Sequence, residues 1–286
     1  MLVNGKELTK TAREKGYAIG AFNVNDYDVA ELVMRAAEEL GTPLMLQVGD
    51  YGNPNAPESR RMSPFAVINL MRFMRERAAA SPVPVVLHLD HCPTYEGCIR
   101  AIQNGCTSVM IDGSMKTFEE NIALTNKVIG AARACDVVVE AEIGHVPGHP
   151  NSTGLQYTSP EAAKAFYEAT GVDMLAVSFG TVHGVYKSEP SLQMDLVKQI
   201  RDIIPAPLVM HGSSGLTPDQ YREAVRNGIV KINFATYLQI IAGEALKKAA
   251  NDAEAPRFSA LVSAASKVGV EYIKEHIGYF GTPRMI

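Results

Sequence analysis

An α/β fold of the closed (β/α)8 type, a TIM barrel with an extra C-terminal helical arm, is predicted by three features of the sequence. Apolar runs of strand length alternate with helical patterns along most of the chain, which implies βαβ units and a parallel sheet. Eight such units fit within roughly 250 residues, which suits one closed barrel better than an open sheet. Several runs end in His, Asp, Glu or Asn, and barrels gather their functional groups at the C-terminal ends of strands.

The elements follow in order. Tyr17-Ala-Ile-Gly-Ala-Phe-Asn23 reads as the first strand, with a helical pattern from Asp26 through Leu40. Thr42 to Val48 is the second, and a Pro/Gly-rich loop from Gly49 to Ser63 leads to a helix over Phe65 to Ala80. Val85 to Leu89 is the third strand, with Tyr95 to Asn104 as its helix. Ser108 to Ile111 and the helix Phe118 to Cys135 form the fourth unit. Val137 to Ile143 is the fifth strand, followed by a long Gly/Pro/Asn-rich loop, Gly144 to Ser159. Pro160 at a first helical position behind Ser159 starts the next helix. Met174 to Phe179 is the sixth strand, with a helix at Asp195 to Ile204. Pro207 to Met210 is the seventh, and Thr217 caps the helix Pro218 to Asn227. Ile229 to Phe234 is the eighth strand, Tyr237 to Asn251 its helix, and Phe258 to Ile277 the appended arm, suited to packing on a neighbouring subunit. With no linker or low-complexity stretch, residues 1–286 read as a single domain.

Composition narrows the function. The formal net charge is −4 and the basic residues are dispersed, so nucleic acid is not an expected partner. No apolar run reaches membrane-span length and the N-terminus has no signal-peptide core, which predicts a cytoplasmic protein with no membrane partner. Cys92, Cys98, Cys106 and Cys135 form no CxxC pair or disulfide framework, consistent with reduced thiols.

Chemistry concentrates at the strand ends: Asn23, Gln47, Asp90 with His91, Asp112, Glu140 with Glu142, His183, His211 and Asn233. The stretch Pro84-Val-Val-Leu-His-Leu-Asp-His-Cys92 runs a buried strand straight into a polar cluster. Alternation puts His88 and Asp90 on one face and His91 on the other, so Asp90 and His91 share a site only where the strand turns. A single histidine at a strand end is ordinarily a core or loop residue. His91, His183 and His211 from three strand ends make a three-histidine set with an open position, a catalytic Zn2+ arrangement. Asp90 is a general acid/base or an orienter of His91. Asp112, Glu140 and Glu142 complete a second metal position or hold ligands in place, with Glu140 read as structural hydrogen bonding at the rim. Two segments look like anion cradles: His211-Gly-Ser-Ser-Gly215 after the seventh strand, and Lys231-Ile-Asn-Phe-Ala-Thr236 around the eighth. Gly180-Thr-Val-His-Gly184 adds backbone N–H groups and Lys187 a cation.

Seven groups of residues in order resemble the class II, metal-dependent ketose-bisphosphate aldolases, the fructose- and tagatose-bisphosphate aldolase family. They are Gly20-Ala-Phe-Asn-Val-Asn25, His88-Leu-Asp-His91, Met110-Ile-Asp-Gly-Ser114 with Phe118-Glu-Glu-Asn-Ile122, Val139-Glu-Ala-Glu-Ile-Gly144, Ala176-Val-Ser-Phe-Gly-Thr-Val-His-Gly184, Val209-Met-His-Gly-Ser-Ser-Gly215 and Lys231-Ile-Asn233. The resemblance implies a lyase that binds Zn2+ through His91, His183 and His211. It implies Asp90 as the catalytic aspartate that exchanges a proton with the C4 hydroxyl, and Asp112 with Glu142 near a second metal position. Gly184, Lys187, Gly212, Ser214 and Thr236 match the C1-phosphate site, which a monovalent cation, Na+ or K+, often accompanies. Asn23 and Asn233 match residues contacting the triose portion. The substrate implied is a sugar phosphate and the assembly a homodimer or homotetramer.

Two departures bear on the substrate. Relatives carry a Gly-Gly-Glu-Asp/Glu loop where this chain has His145-Val-Pro-Gly-His-Pro-Asn-Ser152, which puts His149 near the place of the missing acid. At the distal end Ala255-Pro-Arg257 keeps an arginine, reaching in from a neighbouring subunit in relatives, but loses the preceding aspartate, and Gly49 stands where relatives place a serine. The leading expectation is therefore cleavage of fructose or tagatose 1,6-bisphosphate to dihydroxyacetone phosphate and glyceraldehyde 3-phosphate. The alternatives are an aldolase for another ketose 1-phosphate with a different distal group, a metal-dependent hydrolase, and a non-catalytic sugar-phosphate-binding barrel.

Overall fold

A parallel sheet closes on itself around an interior with an apolar floor and charged residues above it. The computed structural model describes residues 1–49, 63–146 and 157–286. In order the elements are β1 (Leu2–Val3), α1 (Lys6–Lys15), β2 (Ile19–Asn23), α2 (Tyr27–Leu40), β3 (Leu44–Gly49), α3 (Pro64–Ala79), β4 (Val85–Cys92), α4 (Tyr95–Gln103), β5 (Ser108–Ile111) and α5 (Phe118–Arg133). There follow β6 (Val138–Ile143), α6 (Pro160–Thr170), β7 (Met174–Val177), α7 (Met194–Ile203), β8 (Leu208–Met210), α8 (Pro218–Asn227), β9 (Ile229–Phe234), α9 (Thr236–Asn251) and α10 (Phe258–Phe280). Strands β2 to β9 pair in parallel with their sequence neighbours, and β9 returns to β2 through Ile19↔Lys231 and Ala21↔Asn233. This is the predicted TIM barrel.

The helices start where the sequence signals them. Asp26 accepts from the Val29 N–H at the head of α2, and Ser159 caps α6 with Pro160 at the first turn. Thr117 with Glu120, and Thr217 with Gln220, form reciprocal capping boxes on α5 and α8, satisfying N–H groups that the first turn leaves open. The C-terminal arm, α10, extends three residues beyond the predicted Ile277 and packs across α2, α8 and α9.

Two N-terminal elements are absent from the sequence reading. Strand β1 pairs with Val85 and Val86 of β4, on the edge that β5 takes over from His88 onward, and the Thr107 hydroxyl donates to the Val3 carbonyl. Helix α1 is mostly charged and buries only Thr9 and Ala12, so it shows no apolar stripe in sequence. It nevertheless sets Ala12 and Leu8 against the lowest apolar tier inside the barrel, with Tyr17, Ile19, Met45, Val86, Val138 and Met174.

Alternation along the strands then builds the interior upward. Val86 and Val138 belong to the apolar floor. Two residues on, His88 and Glu140 are fully buried, and two further on Asp90 and Glu142 reach the mouth. In the middle tier Lys231 Nζ lies 2.8 Å from Glu140 Oε2 with neither side chain exposed, and His88 Nδ1 lies 2.8 Å from the Ser108 hydroxyl. Removing one member of such a pair strands the other charge in a low-dielectric interior. Lys231→Met is expected to lower unfolding free energy in urea by roughly 3–5 kcal/mol, and adding Glu140→Gln to recover part of it. No recovery in the double variant would show that the loss comes from packing instead of charge.

Candidate active site and metal centre

The site begins at a backbone irregularity in β4. The β4–β5 register shifts between Leu89 and Cys92, and His91 adopts φ 48°, a left-handed conformation costly for a residue with a β-carbon. This bulge resolves the sequence problem of adjacent but divergent side chains: it brings the His91 ring into the mouth beside Asp90.

Three imidazoles converge there. Ring centroids of His91 lie 4.5 Å from His211 and 5.0 Å from His183, and one donor atom from each histidine falls within 4.8 Å of the others. Each ring is held from behind. His91 Nδ1 is 2.8 Å from Asp112 Oδ2, His211 Nε2 is 2.9 Å from Glu140 Oε1, and His183 bonds to the Val146 backbone. Such outer contacts fix the tautomer and aim the remaining nitrogen at a shared point. Asp112 is itself held by the backbone N–H and hydroxyl of Ser114. His91, Asp112 and Glu142 form a second donor set through the same histidine.

Electrostatics suit a cation. Burial alone would lower His91, but Asp90, Asp112 and Glu142 reverse this and lift it to about 10. Burial and His91 lower His183 to about 4 and put His211 well below its ordinary value. Glu142 rises to about 8 through burial and the neighbouring Asp112. His91 Nε2 and His211 Nδ1 stand 2.8 Å apart, within hydrogen-bond distance of each other. Glu142 Oε2 is buried without a hydrogen-bond partner among the described residues and lies 3.7 Å from His211 Nδ1. Three backed imidazoles amid surplus carboxylate fit a divalent metal.

Asp90 sits at the edge of this cluster. Asn23 Nδ2 donates to one of its oxygens at 2.7 Å and Asn233 Nδ2 to the other at 3.0 Å. Burial would raise its pKa, but His91, His211, Lys231 and the Asn23 bond together hold it at about 2. Gln47, fully buried, donates to Asn23 Oδ1 at 2.6 Å and so orients that amide.

A cavity at the C-terminal mouth joins most of the predicted residues: Asn23, Asp90, His91, His183, Gly184, Gly212, Ser214, Asn233 and Thr236 line it, while His211 is fully buried beneath. The Ser214 hydroxyl accepts the Ala235 N–H, and Thr236 opens α9, so a helix N-terminus faces the cavity. Lys187 is exposed and does not line this cavity. Arg257 is exposed ahead of α10 and likewise lies apart from it. His149 falls outside the described residues. Cys92 is buried, its thiol directed to the Thr94 carbonyl and not to the metal donors. A larger cavity at the opposite end of the barrel, lined by Lys6, Arg133 and Asp173 among others, gathers no comparable donor set among the described residues.

Two residues contribute differently from their expected roles. Glu140, read as a rim residue, lies inside the barrel between His211 and Lys231, and Lys231, read as part of an anion cradle, points to Glu140 instead of the mouth. Inward alternation from Asn233 would have placed Lys231 inside.

A (β/α)8 barrel whose C-terminal mouth gathers three imidazoles beside buried carboxylates is the scaffold of an enzyme able to hold a divalent cation. Residues 3–283 match the family model for fructose-bisphosphate aldolase class-II, and the chain belongs to that family. It is 38% identical over 251 residues to a probable fructose-bisphosphate aldolase of Bacillus subtilis, covering 86% of each chain. It is 36% identical over 285 residues to the fructose-bisphosphate aldolase of Staphylococcus aureus strain N315, covering 98% of each. Among solved structures, the YdjI aldolase of Escherichia coli K12 superposes with a TM-score of 0.86 at 35% identity, covering 99% of this chain and 98% of that one.

The lifted His91 has a measurable consequence. Below its pKa the ring carries a proton that an incoming divalent ion must displace, whereas His183 and His211 are already neutral. Metal affinity from chelator competition should therefore rise at least about tenfold per pH unit between pH 6 and pH 8. A flat profile would remove His91 from the donor set.

Proposed function

We propose that the chain, as one barrel domain over residues 1–286, is a zinc-dependent aldolase working in the cytoplasm as a homodimer or homotetramer. Its reaction is the reversible retro-aldol cleavage of a ketose 1,6-bisphosphate, fructose or tagatose, to dihydroxyacetone phosphate and glyceraldehyde 3-phosphate. One observation carries the reading: three imidazoles, each backed by an acceptor, converge beside an ionised Asp90 held by two amides. Membership of the aldolase family supports it, as do the names of the relatives.

The donor set fits Zn2+, which when bound would supply a Lewis acid for the negative charge that develops as the C3–C4 bond breaks. His91, His183 and His211 would hold it. Asp90 would take the C4 hydroxyl proton in cleavage and return it in synthesis, and the Asn23 and Asn233 amides that donate to its oxygens support that role. Gly184, Gly212, Ser214 and Thr236 would receive the C1 phosphate through N–H groups and hydroxyls around the α9 N-terminus. A second reading, a ketose 1-phosphate with another distal group, is favoured by Ala255 and Gly49, which remove side chains that relatives keep at the distal end.

The deciding experiment is release of dihydroxyacetone phosphate from both bisphosphates, with and without chelator. Chelator-sensitive release is expected, and the ratio of rates sets the C4 preference. Release that survives complete metal removal would sink the metal reading, and no release by the zinc-loaded protein would move the substrate to the second reading. Asp90→Asn should keep its metal and lose about 10²–10⁴-fold in kcat, the range for a general acid–base group. Near-normal turnover would unseat Asp90.

A further inference from the structure

Tyr186 lies in the loop between β7 and α7, three residues beyond His183. Its ring packs against the outer core, and its hydroxyl makes two hydrogen bonds, one within its own loop and one across to the β8–α8 loop. It accepts the Val182 N–H at 3.1 Å and donates to the Gly212 carbonyl at 2.7 Å. Val182 immediately precedes His183, and Gly212 immediately follows His211. The two loops touch backbone to backbone here: Gly212 has φ 64°, and a β-carbon on it would sit 2.6 Å from the Val182 carbonyl carbon and oxygen. The phenol thus bridges the residues adjoining two of the three converging histidines, and Gly184 and Gly212, which line the mouth, lie on the same two loops. Burial pushes the phenol up to about 12, so it keeps the proton it donates.

We propose that Tyr186 is a positioning residue that sets the separation of the β7–α7 and β8–α8 loops, and with it the geometry of the metal donors and of the Gly184/Gly212 cradle. This rests on the metal reading above. The donor atoms span at most 4.8 Å, so a shift of one loop by an ångström takes one histidine off the shared point. Neither Val182 nor Gly212 contributes a side chain to that point. The phenol acts through their backbone, and removing its oxygen leaves every ligand in the chain.

The test compares zinc-loaded wild type, Tyr186→Phe and His183→Ala, well below their melting temperatures. Metal affinity by chelator competition, the visible spectrum of the Co2+-substituted protein, and kcat and KM for the preferred bisphosphate are read in each. Tyr186→Phe is expected to bind metal about 10–100-fold more weakly, the usual effect of losing an outer contact to a metal site. Its Co2+ band should shift, and KM should rise by a larger factor than kcat falls. A lower melting temperature with wild-type metal affinity and Co2+ spectrum would overturn the proposal. If Tyr186→Phe does not fold, Gly212→Ala, which keeps the phenol but wedges the loops apart, must show the same weakened metal binding, and wild-type binding there would also overturn it. If wild type and His183→Ala bind metal alike, the metal reading itself fails and Tyr186 has nothing to position. A silent Tyr186→Phe beside a metal-depleted His183→Ala refutes only the positioning role.

Discussion

A lysine ammonium sealed inside a parallel barrel needs a carboxylate, and the contact between Lys231 and Glu140 organises what lies above it. Both side chains are fully buried, so each is tolerated only because the other is there. Glu140 spends one oxygen on Lys231 and the other on His211 Nε2. That second contact leaves Nδ1 as the nitrogen facing the mouth. The tier that fills the barrel thereby sets a tautomer in the tier that performs chemistry. An apolar pair in the same place would fill the space and leave His211 free to choose either ring nitrogen.

The mouth is assembled at some cost in strain and charge. His91 occupies a left-handed backbone conformation, and Asp90, Asp112 and Glu142 crowd around its ring. In the metal-free protein a proton on His91 offsets part of that negative charge. A divalent cation held by the three histidines would offset more of it. The proposed metal site would then couple its affinity to the proton on His91. Holding the arrangement requires loops that do not drift. The phenol of Tyr186, the Val146 backbone behind His183 and the close approach of Gly212 to Val182 all act on that requirement.

Much of this was legible in the sequence because barrels deliver their chemistry at predictable places. Period-2 patterning and the βα rhythm locate the eight barrel strands, with Asp90, His91, His211 and both asparagines at their C-terminal ends and His183 in the loop after β7. What escaped has physical reasons. Helix α1 buries too little apolar surface to show a periodicity, and β1 is two residues long. The β4 bulge changes which side His91 faces, and no residue type announces a bulge at a histidine. Glu140 and Lys231 were misread because charged residues are seldom fully buried. Each becomes intelligible only once the partner across the barrel is known. Arg257 rests on resemblance alone and Lys187 also on its place after the sixth strand, and the structure of the single chain leaves both exposed and outside the lining of the mouth cavity.

The amide chain beside Asp90 also constrains how the proposed reaction begins. Gln47 gives an N–H to Asn23 Oδ1, so the Asn23 NH2 group must face Asp90, and Asn233 turns its own NH2 to the other oxygen. A carboxyl that receives a donor on each oxygen is stabilised as the anion, which accords with its value of about 2. In the proposed reaction Asp90 would therefore meet the substrate as an acceptor and not as an acid. A carboxylate so stabilised is a weak base, and it would draw off a hydroxyl proton only as that oxygen becomes a carbonyl and its acidity rises. Proton transfer is then tied to bond cleavage and does not precede it. In the proposed reaction the amides that weaken Asp90 as a base would also hold it ready to accept as the C3–C4 bond parts.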